Sequence, residues 1–415
     1  MRNILMLLFC ALTSISQAQK CISQKRLAKR ISSNPELNDK IQESDLKIWQ
    51  WVHQKERSNI KKQEIINIPV VVHVIWNKNH QNISEEQIQS QLDVLNEDFR
   101  KKNSDRLTNN HPFSALTEDV QIEFCLASLD PSGGLTSGIT RNKTNKTSWN
   151  DNNYDDIFFS NRGGKDNWNP DLYLNIYVVE GDGETLGFAS FPDELEDYRE
   201  YDGVVIDHRV FGRTGTAGSE DFEGAMGRTA THEVGHWLNL WHIWGDEFCG
   251  DDKVGDTVPA EEDNYDCPTF PHRPNNECGS GPNGEMYMNY MDYVDDACAV
   301  MFTKGQSNRM RAVLSGLRGQ LQNANGCNAS TAVYDESWAN SLIIHPNPTS
   351  GGEVRIWMDN PSQQEIQIQI FDMQGRLISS TPLSASVILD DLKKGLYLVK
   401  ISSAYRFATK KLMVH

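Results

Sequence analysis

The segment Thr231 to His242, THEVGHWLNLWH, carries the densest chemistry in the chain. At about 100° per residue, His232 and His236 are about 400° apart on a helix, so both rings leave nearly the same face one turn apart. Two imidazoles at that spacing grip one zinc ion, and Glu233, beside the first, reaches a water rather than the ion. His242 tests the reading. On an unbroken helix it would lie about 15 Å along the axis and roughly 80° off the face, out of reach of the same ion. The helix must therefore stop near Asn239 and the chain turn back. Asparagine is second only to glycine in tolerating the left-handed conformation that ends helices. With 11 histidines and 57 acids in 415 residues, an H-[DE]-x-x-H pattern arises by chance roughly 0.04 times, and with the third histidine about 0.001 times. Three neutral imidazoles leave a fourth coordination position open, which distinguishes catalytic zinc sites from structural ones. The implied chemistry is hydrolytic: Glu233 takes a proton from the water that attacks a metal-polarised carbonyl and returns it to the leaving amine.

The elements that must position these groups follow from the rest of the chain. Ile66 to Trp76 (INIPVVVHVIW) is a β-branched run expected to form a buried strand. An amphipathic helix follows, with Ser84 and Gln87 as a capping box and Ile88, Leu92, Leu95 and Phe99 on its apolar face. Val120 to Leu129, Leu172 to Glu180, Gly187 to Phe191 and Gly203 to Ile206 read as further strands. A second helix carries the histidines, and Gln306 to Leu321 reads as a closing helix. From about 250 to 300 the pattern dissolves into Asp, Gly, Pro, Asn and Cys, a long irregular segment that needs bracing.

Length and composition bound what surrounds this unit. A chain of 415 residues exceeds one ordinary core. A formal charge of −17 excludes nucleic acid as an expected partner, because phosphate binding needs a basic surface. Residues 1–18 read as a signal peptide: Arg2, an apolar run from Ile4 to Leu12, and Ser16-Gln17-Ala18 before the cut. No later stretch approaches membrane-spanning length. The expectation is a secreted, monomeric protein, with the cell surface as an alternative location. Export permits disulfides. Losing Cys10 with the leader leaves Cys21, Cys125, Cys249, Cys267, Cys278, Cys298 and Cys327, an odd number. Residues 19–64 are polar, with a helix start at Asn34-Pro35-Glu36 and Leu37, Ile41, Ile48 and Val52 at helical spacing. They read as a propeptide leaning on another domain. The expected organisation is completed by a catalytic domain at 65–328, a linker at 329–340 and a β-sandwich at 341–415, where Ile366, Ile368 and Ile370 alternate with glutamines.

The histidine motif and Asn289-Tyr290-Met291-Asp292-Tyr293 resemble the metzincins, whose pattern is HExxHxxGxxH followed by a methionine turn. His232, Glu233, His236 and His242 match, and Asn239 stands where the family usually has glycine. LGFASFP (186–192), DGVVIDHRVFG (202–212), CGDD (249–252) and NYMDY resemble the pappalysin group of that clan, over about residues 66–320. The resemblance implies an α+β fold: a mixed, mostly parallel sheet with two long helices, a zinc cleft and an irregular C-terminal subdomain, joined here to the small all-β sandwich. It further implies a zinc metalloendopeptidase acting on extracellular proteins or peptides, with Met291 beneath the zinc and Tyr293 stabilising the oxyanion. The LGFASFP strand would be the edge along which substrate lies. Disulfides Cys249–Cys278 and Cys267–Cys298 are implied, as is calcium in the same loop, for which Asp252, Asp256 and Thr257 offer oxygens. Cys21 would be a zinc ligand in a latent zymogen; pairing with Cys125 or Cys327 is the alternative.

The last domain resembles the C-terminal sorting domain of type IX secretion substrates. Pro346-Asn347-Pro348, Gly395-Leu396-Tyr397-Leu398-Val399 and Lys410-Lys411-Leu412-Met413-Val414 carry that resemblance, which implies the type IX machinery as a partner. A carbohydrate- or surface-binding sandwich is the rival. Asp295 and Asp296, just past the methionine turn, suggest a mild preference for Lys or Arg after the scissile bond.

Overall fold

A computed structural model describes residues 21–57, 64–219, 222, 224–327, 333–334, 336–350, 353–358, 366–383, 386–390, 392–402 and 406–415. The leader expected at 1–18 lies outside the described residues. The chain divides into two compact units, 1–127 with 137–324, and 128–136 with 325–415.

The first unit is built on a six-stranded sheet. β1 (Ile66–Trp76) lies at its centre, flanked in parallel by β2 (Ile122–Leu126) and β3 (Ile139–Lys143) on one side and β4 (Leu174–Val179) on the other. β5 (Gly187–Ala189) forms the far edge and runs antiparallel to β6 (Val204–Asp207), which pairs with β4 in parallel. This is the mixed, mostly parallel sheet expected, and β1 is buried along nearly its whole length, as its β-branched, mainly apolar run demands. β3 was not expected; its sequence, ITRNK, is polar and lacks a strand pattern.

Two helices, α1 (Ser23–Ser33) and α2 (Glu36–Arg57), precede β1. The second matches the expected helix, whereas α1, with few apolar residues, was not foreseen. Leu27, Leu37 and Ile41 are buried together with Phe191, and full burial stabilises by about 1.5–3 kcal/mol per large aliphatic side chain. That is how so polar a segment is held: its few apolar residues dock on a neighbour.

α3 (Glu85–Asp98) buries Ile88, Leu92 and Leu95, and Phe99 follows them into the core. Ser84 caps it by accepting a hydrogen bond from Gln87 N, at 3.2 Å. The return half of the expected box is absent, because the Gln87 amide donates instead to the carbonyls of His208 and Phe211. α4 (Arg228–Trp237) carries the histidine motif. α5 (Lys304–Ser315) closes the unit with a full capping box from Thr303 and Gln306, shorter than the 306–321 expected. Between them the irregular segment carries disulfides Cys249–Cys278 and Cys267–Cys298. Cys125 and Cys327 are also disulfide-bonded, so the alternative pairing for Cys21 is excluded; Cys21 is free.

Among its described residues the second unit is mainly β, with a short α-helix at Glu336–Ser341. One sheet is ordered β11 (Leu377–Pro382), β10 (Gln367–Asp372), β13 (Gly395–Ser402), β14 (Arg406–Val414) and β7 (Val333–Tyr334); the other is β12 (Ser386–Leu389), β9 (Val354–Met358) and β8 (Leu342–His345). Ile368 and Ile370 of β10 point into the core with Val399 and Ile401 of β13, as the alternation requires.

Candidate metal centre

α4 is fixed before it presents its histidines. Asp296 accepts hydrogen bonds from the backbone N–H of Met226 (2.5 Å) and Arg228 (3.1 Å), satisfying donors at the helix start where Gly227 offers no side chain. Thr231 donates to Asp98 (2.8 Å), and Arg318 covers Trp237 while pairing with Asp202 (2.6 Å).

The helix ends where the third histidine requires. Asn239 has φ 71°, in the left-handed region. Asn239 N donates to His236 O (2.8 Å) and Leu240 N to Gly235 O (2.9 Å), the pair of bonds that defines a Schellman ending. The chain then doubles back and His242 rejoins the other two rings. The Nε2 atoms of His232 and His236 are 3.1 Å apart, those of His236 and His242 3.1 Å, and those of His242 and His232 3.2 Å.

The donor bookkeeping at these rings identifies what fits between them. Each Nδ1 faces an oxygen acceptor: Tyr290 O (2.7 Å), Leu240 O (2.7 Å) and Asp246 Oδ1 (2.6 Å). Each Nδ1 therefore carries the hydrogen, and three bare Nε2 lone pairs point at one another in a fully buried pocket. That arrangement repels itself without a cation, and nitrogens at these separations suit an ion held at about 2.0–2.1 Å. Burial holds the His232 imidazole down to about 3 and His236 well below its ordinary range, with the neighbouring rings adding to the effect, so these rings stay neutral ligands.

Around the rings, Trp244 stacks on His242 with ring centres 4.4 Å apart. Met291, fully buried, lies beneath Gly235: a Cβ there would come within 2.5 Å of its Sδ. The glycine between the two helix histidines is thus what lets the methionine turn approach. Tyr293 has its ring 4.9 Å from His242 and donates its hydroxyl to Cys21 O (3.2 Å).

Glu233 is buried, and burial pushes its carboxyl up to about 8, with hydrogen bonds from Cys21 and Ser23 pulling it back. Its Oε2 accepts from Ser23 Oγ (2.9 Å) and from Cys21 Sγ (3.4 Å). Cys21 Sγ and the ring nitrogens of the three histidines all lie within 4.8 Å of one another. Cys21 also bridges to Gly187 at the start of β5, and Ser23 Oγ accepts from Ala189 N (2.8 Å). Burial and the adjacent Glu233 raise the Cys21 thiol well above its usual value; a divalent ion beside it would act in the opposite direction.

Three residues were missed from the sequence. Ser23 gave no signal, because its contacts with Glu233 and Ala189 cross 210 and 166 residues. Asp246, four residues after His242, was detectable as a carboxylate able to orient a metal-bound ring. Trp244 was not separable from a core aromatic. Asp252 Oδ1 accepts from Thr257 Oγ1 (2.9 Å) and Val254 N, and its buried Oδ2 has no partner among the described residues. Asp256 is engaged elsewhere, accepting from Thr303 (2.6 Å) and Gly305 N (2.8 Å) at the start of α5. Asp296, expected near the substrate pocket, is half-buried, and its carboxylate accepts from the backbone at the start of α4.

A mixed sheet with an antiparallel edge strand, an active-site helix broken at a left-handed residue, and a methionine beneath three histidines together define the metzincin class of metallopeptidases. Residues 158–315 match the family described as pregnancy-associated plasma protein-A, and residues 343–415 match a secretion system C-terminal sorting domain. Among solved structures, mature mirolysin of Tannerella forsythia with a cleaved peptide is 47% identical, at TM-score 0.58, covering 63% of this chain and 97% of that one. A promirolysin mutant of the same organism is 42% identical, at TM-score 0.63, covering 73% and 96%. An extracellular metalloprotease of Colletotrichum graminicola is 37% identical over 154 residues, 36% of this chain and 52% of the relative; the match thus spans about half the length of that relative. The chain belongs to the pregnancy-associated plasma protein-A family and carries a C-terminal sorting domain.

Proposed function

We propose that this protein is a secreted zinc metalloendopeptidase made as a latent zymogen. The observation that carries the reading is the convergence of three bare Nε2 atoms, 3.1–3.2 Å apart, beside a buried carboxylate. His232, His236 and His242 would hold the ion. Zinc, when bound, supplies a Lewis acid that acidifies water and polarises a carbonyl. Glu233 takes the proton from the attacking water and delivers it to the leaving nitrogen. The Tyr293 hydroxyl donates to the oxygen on which charge develops. The outward N–H groups of β5 align an extended peptide by strand addition. Met291, packed under Gly235, sets the floor of the histidine cluster. Hydrolysis of casein by the processed enzyme, abolished by a chelator and by Glu233→Ala, is the expected result; full activity in Glu233→Ala would overturn the reading.

Latency is read as a cysteine switch. Support comes from the free Cys21 sulfur near all three ring nitrogens and from Ser23 bonded to Glu233. Cys21→Ala zymogen should hydrolyse substrate without processing; a variant as silent as the parent removes the switch. Calcium in the loop is supported by the unpartnered Asp252 Oδ2 alone, since Asp256 serves α5. The preference for Lys or Arg at P1′ now rests on Asp295, and a cleavage-site library returning apolar P1′ residues would discard it. The sorting domain implies export by the type IX machinery, which deletion of 341–415 should block.

A further inference from the structure

Away from the histidine cluster, three other side chains meet at the ends of the central strands. His80 sits in the turn after β1, Glu180 directly follows β4, and His208 directly follows β6. One ligand atom from each lies within 4.8 Å of the others. His208 is buried and His80 is exposed.

The hydrogen bonds around the cluster bear on what it can hold. His208 Nδ1 lies 2.9 Å from Thr216 Oγ1. That hydroxyl has one proton and two obligate acceptors close by, His208 O at 3.0 Å and Gln87 Oε1 at 3.2 Å. Both oxygens also accept elsewhere, His208 O from Gln87 Nε2 (2.9 Å) and Gln87 Oε1 from Thr216 N (3.0 Å); in the tautomer in which Nδ1 donates to Thr216, His208 Nε2 is a bare lone pair. It points at Glu180 Oε2, 2.9 Å away. The same oxygen accepts from Gln81 Nε2 at 2.8 Å and has His80 Nε2 at 3.7 Å. In that tautomer the lone pair faces a carboxylate, and a cation between them resolves the contact. Two further ring protons would set two imidazolium ions, with ring centres 5.7 Å apart, against one carboxylate. A single divalent ion satisfies all three groups at once.

We propose that His80, Glu180 and His208 form a second, structural metal site for a borderline transition ion such as Zn²⁺, Ni²⁺ or Cu²⁺. Two imidazoles and one carboxylate suit those ions and not Ca²⁺ or Mg²⁺, which take oxygen donors. Thr216 orients the buried ring and Gln81 the carboxylate, the outer-shell contacts that metal ligands use. The exposed side at His80 leaves room for water to complete coordination. The ion ties together three chain segments, and its His208 ligand lies two residues beyond Ile206, which pairs with Gly187 of the edge strand β5. The site therefore braces the strand ends beside the expected substrate edge.

The test uses the full chain loaded with one equivalent of zinc. Equilibrium dialysis against Ni²⁺ or Zn²⁺ should show a second equivalent bound, and Cu²⁺ should give an electron paramagnetic resonance spectrum with two coordinated nitrogens. His80→Ala and Glu180→Gln should each weaken that second equivalent by about 10-fold or more. His80 is exposed, so its variant should keep the parent's metal-free melting temperature, which excludes misfolding as the cause. Binding of one equivalent only, or a second equivalent that both variants retain unchanged, would overturn the proposal in favour of a protonated histidine pair.

Discussion

Asn239 occupies the position where the wider clan uses glycine, and replacing it with glycine should weaken the protein rather than relieve it. The φ of 71° costs a non-glycine residue about 1 kcal/mol, which glycine would return. Against that, the asparagine amide donates to the buried Asp193 (2.7 Å) and its carbonyl accepts from Arg309. Hydrogen bonds to charged groups contribute about 1.5–3 kcal/mol each. Asp193 retains Ser44, and Arg309 retains Asp45 and the backbone oxygen of residue 239 (2.7 Å), so the low end of that range applies. The two bonds together are then worth about 3 kcal/mol, and Asn239→Gly should lose about 2 kcal/mol net. Asn239→Ala forfeits the same bonds and keeps the backbone cost, so it should lose about 3–4 kcal/mol. Urea unfolding of the zinc-loaded, disulfide-intact chain measures both, and zinc release to a chelator should quicken in the same order. A glycine variant as stable as the parent would refute the claim that the side chain, and not tolerance of φ alone, selects asparagine here.

Gly235→Ala should cost about 1–3 kcal/mol by overpacking, since the new methyl meets Met291 Sδ at 2.5 Å; the cost should shrink in a Met291→Ala background, and an undiminished cost would place the clash elsewhere. Asp246→Asn should lower zinc affinity about 10- to 100-fold in a chelator competition, because the carboxylate holds His242 Nδ1 at 2.6 Å; parent-like affinity would remove Asp246 from the site. Burial holds the His73 imidazole down to about 4, partly offset by the bond to Asn175. The unfolded chain, near 6.5, therefore binds more protons between those values, and stability contributed by neutral His73 is complete above pH 6.5 and lost as pH falls towards 4. That loss is about 2–3 kcal/mol between pH 7 and 4.5. His73→Gln should flatten the pH dependence of urea unfolding by that amount, and equal slopes in the two proteins would contradict it.

How far the sequence could be read depended on how local each feature was. β1 was legible because an eleven-residue run dominated by β-branched apolar residues has one sensible environment, and its bounds match. The break at residue 239 was legible because three ligand spacings admit one solution. α1 was not, since its side chains are explained by groups elsewhere: Ser23 by Glu233, Arg26 by Asp155 and Phe188, Arg30 by Glu194 and Tyr198. Asp296 was misplaced for the same reason. Proximity in sequence to the methionine turn suggested the substrate pocket, but the unsatisfied N–H groups of α4, some 70 residues earlier, claimed its carboxylate.

The segment before β1, read above as a propeptide, touches the centre at two places, and their chemistry differs in a way that bears on the proposed latency. The first arm, Cys21 and Ser23, occupies Glu233 Oε2, the Ala189 N–H of the edge strand and the Tyr293 hydroxyl. Those are the base, the strand donor and the oxyanion donor that the proposed reaction uses, so each is masked until the arm leaves. The second arm, Ser44 and Asp45, bonds Asp193 and Arg309. Those two residues hold Asn239 from within the catalytic unit, with α2 as an additional partner and not an intermediary. Under the proposed latency, departure of that segment would expose the reactive groups while the turn that aims His242 keeps its own supports. Had Ser44 or Asp45 bonded Asn239 directly, the same cleavage that unmasked Glu233 would have loosened the third ligand.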